Sequence, residues 1–349
     1  MTSPPVAEET RHSADRLGRH AVARRTAAVL LAALAALVVV CFASIMFGSK
    51  TLPLSQVWDA VSGHGDAYTI TVVESRYPRT ALGIVVGLGL AVAGVLMQAV
   101  TRNPLAEPGL MGVNTGAAAS VVAATAFAGV SGQTQTLLWA LPGALLAGLF
   151  VHVIGTVGSG MSPVRLVLGG AVLTAVLSAF IQAVTLSRPQ VFDSYRYWVV
   201  GALGGHGWEA VRTVLPLAVA GFAVALLLGR GLNAVALGED SATALGARPE
   251  RVKALALLTA TVLSAAATAA AGPIAFVGLA VPHLARTLLG ADLRRQIALS
   301  ALLGPTLLLA ADVIGRLLVR PQELMVGVVT AFVGAPALLI AVRRMRATS

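Results

Sequence analysis

The chain has 349 residues, of which 57% are apolar and only 11% charged, against roughly 25% charged in an ordinary soluble domain. That balance excludes a cytosolic enzyme, a disordered tail and a disulfide scaffold, since the single cysteine, Cys41, can neither close an internal disulfide nor join a Cys metal cluster. The net charge of +10 does not point to nucleic acid either, because the Arg residues fall in small groups at the ends of apolar runs and not on one face of a soluble module.

In chain order, residues 1–26 form a polar N-terminal tail carrying Arg11, Arg16, Arg19, Arg24 and Arg25, followed by an uncharged run over 27–47. That run is longer than a signal-peptide core, and Val40 stands before Cys41 where a lipoprotein cleavage site wants a small residue, so it is expected to be an uncleaved first span. Nine further apolar segments follow at 80–101, 111–130, 137–157, 166–187, 213–229, 252–271, 274–290, 297–315 and 324–342, with a short tail over 343–349. Each is near the ~20 residues that a helix needs to cross a hydrocarbon core, so the membrane domain is expected to be 27–342. The eighth segment is interrupted by Pro273 and Pro282 and is expected to be a broken helix. With both termini cytoplasmic, 17 of the 25 Lys and Arg residues fall on the cytoplasmic side, as the positive-inside rule requires.

Small residues such as Gly83, Gly87, Gly143, Ala147 and Gly148 are spaced for close helix packing. Asp312 is the one acidic residue inside a predicted span, which weighs against an ion-coupled secondary transporter with its relay of intramembrane carboxylates. Pro104–Leu110 and Pro273–Leu279 share the pattern P-[LI]-A-x-x-G-L at an offset of 169 residues. Five spans separate them, so they are expected to face opposite sides of the membrane as parts of an inverted repeat.

No catalytic constellation is present. Gly158-Ser159-Gly160 and Gly204-Gly205-His206-Gly207 lack the spacing and the Lys of a nucleotide-binding loop, so any ATP is hydrolysed by another subunit. His152, His206 and His283 are far apart in sequence, and no metal site or cofactor is expected. The stretch 231–253 has the form of two short helices ending at Gly238 and Gly246, with Glu239, Asp240 and Ser241 as acceptors for the start of the second. It is either a docking element for a cytoplasmic partner or a solvated connector.

Several stretches together carry a resemblance. They are RYPR at 76–79, TALGIVVG at 80–87, GVLMQ at 94–98, NPLAEPGLMGV at 103–113, GEDSATALG at 238–246, AAGPIAFVGLAVPHLAR at 270–286, ADVIGR at 311–316 and ELMVGVVTAFVGAPALL at 323–339. With these the chain resembles the FecCD family of binding-protein-dependent ABC permeases, which includes importers of vitamin B12, haem and ferric siderophores. The resemblance implies an all-α polytopic fold of the type II ABC importer class, with ten spans and an inverted internal repeat, in a bacterial inner membrane. It also implies a homo- or heterodimer of permease chains with the path on the dimer axis, two cytoplasmic ATPase subunits and an extracytoplasmic substrate-binding protein.

Carried over to matching positions, the resemblance assigns ATPase coupling to Leu237, Gly238, Glu239, Asp240, Ala244, Leu245 and Gly246. It assigns binding-protein docking to Arg76, Arg79 and Arg316, which lie outside against the charge trend, so that something external is expected to hold them there. The cytoplasmic gate falls at Asn103 and Leu105 and at the turn before the fifth predicted span, where Pro163 and Val164 stand in place of the family's small hydroxyl residues. The path is expected to be apolar and to shield a chelated cargo. That cargo is most simply a ferric siderophore, with haem or cobalamin as alternatives and a secondary transporter as the reading outside the family.

Overall fold

The computed structural model describes residues 6–48, 52–156 and 162–347. Its helices are α1 (Val6–Met46), α2 (Leu54–Val61), α3 (Ala67–Thr101), α4 (Val113–Ala128), α5 (Gln133–Thr156), α6 (Pro163–Ser187), α7 (Pro189–Val199), α8 (Trp208–Ala236), α9 (Glu239–Ala244), α10 (Pro249–Ala271), α11 (Val277–Leu289), α12 (Leu293–Leu318) and α13 (Val326–Ala347). All ten predicted segments coincide with helices, and α2, α7 and α9 are short connectors between them. Gly158-Ser159-Gly160 and residues 1–5 of the predicted tail lie outside the described residues.

Seven helices, α1, α3, α5, α6, α8, α10 and α12, are long and apolar enough to cross a membrane. Within the most apolar stretches of α3 and α10, 83% and 78% of the residues are buried, against 11% in α1 and 17% in α6. The first two are therefore the central pillars, and α1 and α6 present their apolar sides outward. α3 packs on α12, α10, α8 and α11, so most of the bundle is assembled around one helix.

Small residues make that assembly possible. Lipid tails are as apolar as leucine, so helix association in a membrane rests on close van der Waals contact. A Cβ on Gly87 would lie 2.6 Å from Pro305 Cα of α12, and one on Gly94 would overlap the carbonyl oxygen of Gly278. Gly83 faces Leu309, Gly143 faces Ser120 and Gly116 of α4, and Gly148 faces Thr261 of α10. The glycines singled out in the sequence are thus all at helix contacts.

The two copies of the repeated motif start from opposite ends of the bundle, as an inverted repeat implies, and they meet inside it. Arg102 at the end of α3 lies beside Val235, and Gly272 at the end of α10 beside Trp198 and Gly201. The chain leaves α3 through Arg102 in the left-handed conformation, turns into a short 3-10 helix at Pro108–Met111 and only then starts α4. It leaves α10 at Gly272, runs without helix to Phe276 and only then starts α11. Both segments fold back into the bundle, where the Phe276 N–H donates to Glu107 Oε1 at 2.9 Å and Gln98 Nε2 donates to the Gly278 carbonyl at 3.3 Å.

Non-helical backbone inside a membrane protein is tolerated where protein buries it, and each re-entrant segment shortens the helix that follows. α4 has 16 residues and α11 has 13, which at the helical rise span only about 24 and 20 Å of a core about 30 Å thick. The broken helix expected at Pro273 is therefore real, and its counterpart before α4 is a second one.

Substituting Gly94 by Val inserts two methyl groups and a Cβ against the Gly278 backbone. The expected cost is on the order of 1–3 kcal/mol, measured as a lower thermal midpoint of the purified protein in detergent, whereas Gly207→Ala, which meets nothing within 4 Å, leaves the midpoint unchanged.

Candidate functional site

Three groups of side chains stand out, one at one end of the bundle and two at the other. At the first end Arg79 of α3 places Nε 3.1 Å from Asp312 Oδ2 and Nη2 2.8 Å from Asp312 Oδ1, a bidentate pair with α12. Its Nη1 donates to Glu323 Oε2 at 2.8 Å. Arg316, one turn after Asp312, pairs with Asp312 Oδ2 at 3.0 Å and donates to the Ser44 carbonyl and Oγ at the end of α1, both at 2.9 Å. Arg76 donates to the carbonyls of Ile45 and Met46 at 2.6 and 2.9 Å. These carbonyls are the orphan acceptors of the last turn of α1, where the helix dipole also favours a cation.

Two guanidinium groups and two carboxylates thus balance within the chain. The Asp312 and Arg316 side chains are each 1% exposed, so a single buried carboxylate bridges two arginines from different helices. Within the chain, Arg79 and Arg316 are held by Asp312, and Arg79 also by Glu323. Arg76 and Arg79 border a cavity of about 500 Å³ together with Tyr68, Gly205, His206 and Glu323. Arg316, though only 1% exposed, forms part of the wall of that cavity. Sequence reasoning missed Asp312 and Glu323 as partners, although Asp312 and Arg316 stand four residues apart on one helix, a spacing that brings opposite charges together.

The predicted gate residues lie at the other end. Asn103, Pro163 and Val164 line one cavity of about 290 Å³ with Met97, Thr101, Ala106, Leu110 and Met111. Leu105 is beside them and exposed, held by its N–H donating to Asn103 Oδ1 at 2.9 Å. Pro163 opens α6 at a position where its missing N–H costs nothing, and Ser162 caps that helix through the Arg165 N–H. Apart from Thr101 and Asn103 the lining is apolar.

The coupling stretch shares that end, since Arg102 at the close of α3 donates to the Val235 carbonyl at 3.0 Å. Of the two short helices expected in 231–253, only the second exists, as α9. The first is the continuous end of α8, which runs to Ala236 because nothing before Gly238 breaks the helical pattern. Gly238 has φ +116° and Gly246 φ +78°, backbone that a side chain would strain. Between them α9 turns Ala242 inward and leaves Asp240 and Ala244 exposed, while Leu237 and Leu245 flank it at 71% and 69% exposure. Lys253 pairs with Glu239, and the ammonium beside it holds the Glu239 carboxyl below the usual carboxylate range.

Long apolar helices around a buried pillar, with an apolar cavity at one end and a polar one at the other, define a polytopic membrane permease. The sequence matches the FecCD transport family over residues 36–344, and the chain belongs to that family. It is 48% identical to the ferric enterobactin transport system permease protein FepD of Escherichia coli (strain K12), over 86% of this chain and 90% of that one. It is 37% identical to the Fe(3+)-citrate import system permease protein YfmD of Bacillus subtilis (strain 168), over 94% and 98%. The cobalamin import system permease protein BtuC of Halobacterium salinarum (strain ATCC 700922 / JCM 11081 / NRC-1) is 35% identical over 94% and 90%. Among solved structures, a metal-chelate type ABC transporter in an inward-facing conformation aligns with a TM-score of 0.80 at 28% identity, over 90% of this chain and 99% of that one.

Replacing Asp312 by Ala leaves Arg79 and Arg316 without their shared buried carboxylate. The expected loss is about 3–5 kcal/mol, enough to deplete the folded protein from membranes. Glu323→Gln, which removes a partner at the cavity rim, is expected to leave the protein level near that of the parent. Quantitative immunodetection of membrane fractions measures both.

Proposed function

We propose that the chain is the membrane subunit of an ATP-driven importer that passes a ferric siderophore through the axis of a permease dimer. The observation that carries the reading is the division of labour between the two ends of the bundle: an apolar gate cavity beside exposed Leu237 and Leu245 at one, an arginine-bordered cavity at the other. The permeases named for ferric enterobactin and Fe(3+)-citrate among its relatives support an iron chelate as cargo. The relative named for cobalamin makes a cobalamin the competing cargo.

In this reading the α9 end faces the cytoplasm, in line with the 17 Lys and Arg residues that the charge distribution assigns there. ATP is hydrolysed by a separate pair of subunits. Leu237 and Leu245 flank the coupling helix and enter an apolar groove on one of them, with Gly238 and Gly246 setting the turns, Glu239 braced by Lys253 and Asp240 and Ala244 on the contact face. Burial of two leucines on binding supplies a few kcal/mol of attachment, at about 1.5–3 kcal/mol for each side chain taken fully from water. That contact is stiff enough to transmit a movement to α8 and α10.

At the opposite end, Arg76 and Arg79 border the cavity that receives acidic side chains of a soluble binding protein. Arg316, in the wall of the same cavity, contributes by fixing Asp312 and through it Arg79. The cargo then moves along apolar walls to the cavity of Asn103, Leu105, Pro163 and Val164, the last barrier before the cytoplasm. α6 leaves Val164, Leu168, Val172 and Val176 exposed at four-residue spacing, a continuous apolar row suited to a second permease chain across the axis.

Leu245→Asp puts a charge in the coupling contact without touching the core. Uptake of radiolabelled iron chelate in whole cells is expected to fall at least about tenfold, the effect of losing a well-buried leucine contact, while the amount of permease in the membrane stays constant. Unchanged uptake rejects the coupling assignment. Competition by excess cobalamin, if it displaced the iron chelate, would favour the other cargo.

A further inference from the structure

The hydrogen bond between Glu107 and Phe276 joins residues 169 positions apart, which is the offset of the repeated motif. The two partners are therefore equivalent positions of the two copies. When an element and its repeat-related copy touch through equivalent residues, the contact lies on the pseudo-twofold axis relating them.

The surroundings make it a clasp between elements with different tasks. On the first copy, Glu107 directly follows Ala106, which lines the gate cavity with Asn103, so the carboxylate sits at the end of the gate segment. On the second copy, the Phe276 N–H is the free donor at the start of α11. Phe276 holds φ +70°, backbone that non-glycine residues adopt rarely and keep only where neighbours over-determine it. Gly334 of α13 lies against its Cβ and ring. Pro104 and Pro108, on either side of the carboxylate, fix φ and remove donors, and the other hydrogen bonds of this stretch are local: Leu105 N–H donates to Asn103 Oδ1, Ala106 N–H to the Asn103 carbonyl and Leu110 N–H to the Glu107 carbonyl.

We propose that Glu107 is a positioning residue of the gate: its carboxylate, by accepting the Phe276 N–H, holds the Asn103–Ala106 segment against the second half of the chain, and its release lets that segment move. The proposal rests on the reading of the Asn103 cavity as the gate. It assigns to Glu107 a role in neither cargo binding nor partner docking.

The test uses Cys41→Ser to remove the one native cysteine and places a reporter by Leu105→Cys in the gate segment or, separately, by Leu245→Cys beside α9. Purified protein in lipid nanodiscs, open to reagent from both faces, is alkylated with a bulky polar maleimide. Glu107→Ala is expected to raise the Leu105→Cys rate about tenfold, the scale set by losing a hydrogen bond to a charged acceptor, with the Leu245→Cys rate unchanged. Glu107→Met, which keeps the volume but cannot accept, behaves as Glu107→Ala and serves where the alanine variant is not recovered. Glu107→Gln, which can still accept, stays within about twofold of the parent by the same measure. An unchanged Leu105→Cys rate in Glu107→Ala or Glu107→Met, equal acceleration of both reporters, or a Glu107→Gln rate matching the alanine variant overturns the clasp. The labelling needs no cargo, ATPase or binding protein, so it stands apart from the gate assignment, which fails if Val164→Asp leaves iron chelate uptake unchanged.

Discussion

Everything in this molecule depends on the contact of α3 with its neighbours at glycine. In lipid, apolar side chains gain nothing from leaving the solvent, so helices hold together only where backbones approach closely enough for dispersion and weak polar contacts to accumulate. Gly87 and Gly94 put one face of α3 within backbone distance of α12 and α11, and Gly83 admits the Leu309 side chain of α12. That approach brings Gly278 beneath α3, which in turn brings the second re-entrant segment within reach of the first. The gate segment, the start of α11 and the pillar are positioned by the same row of missing side chains.

A second constraint is electrostatic. A lone charge in this setting is costly, and the chain meets the cost by grouping. Asp312 serves Arg79 and Arg316 together, Glu323 serves Arg79 from the rim, and the end of α1 supplies carbonyls to Arg76 and Arg316. α1 is otherwise the most lipid-exposed helix, and these bonds, with its packing on α12 and α3, tie it to the bundle. The same grouping leaves Arg79 partly accessible beside a cavity while Arg316, in the wall of that cavity, is 1% exposed.

The parts of the site were legible to different degrees. Asn103, Pro163 and Val164 come from two segments 60 residues apart yet line one cavity, as the family pattern implies. Gly238 and Gly246 show the positive φ that their spacing requires, and Leu237 and Leu245 are exposed beside them. One expectation had to change: the first helix of the coupling pair is the end of α8, because helical periodicity continues through it and local sequence cannot say where a membrane helix leaves the lipid. The intramolecular partners of the outer arginines were not legible, because Asp312 and Glu323 are distant from Arg79 in the chain. Nor was the meeting of the repeat motifs inside the bundle, because counting spans treats each connection as lying at a surface.

Hydropathy, charge asymmetry and Pro and Gly punctuation by themselves determined the class, the number of apolar helices and the broken helix at Pro273, while the resemblance of several short motifs carried the family. These are local or summed properties, and the bilayer acts on them locally: a run is long enough to cross or it is not. What only the tertiary structure decided is which polar groups pair across the chain, namely Arg79 with Asp312, Arg316 with Ser44 and Glu107 with Phe276. Those pairings depend on how close helices come and in what rotation. That is settled by small residues at contacts between segments far apart in sequence, where hydropathy and charge carry no information.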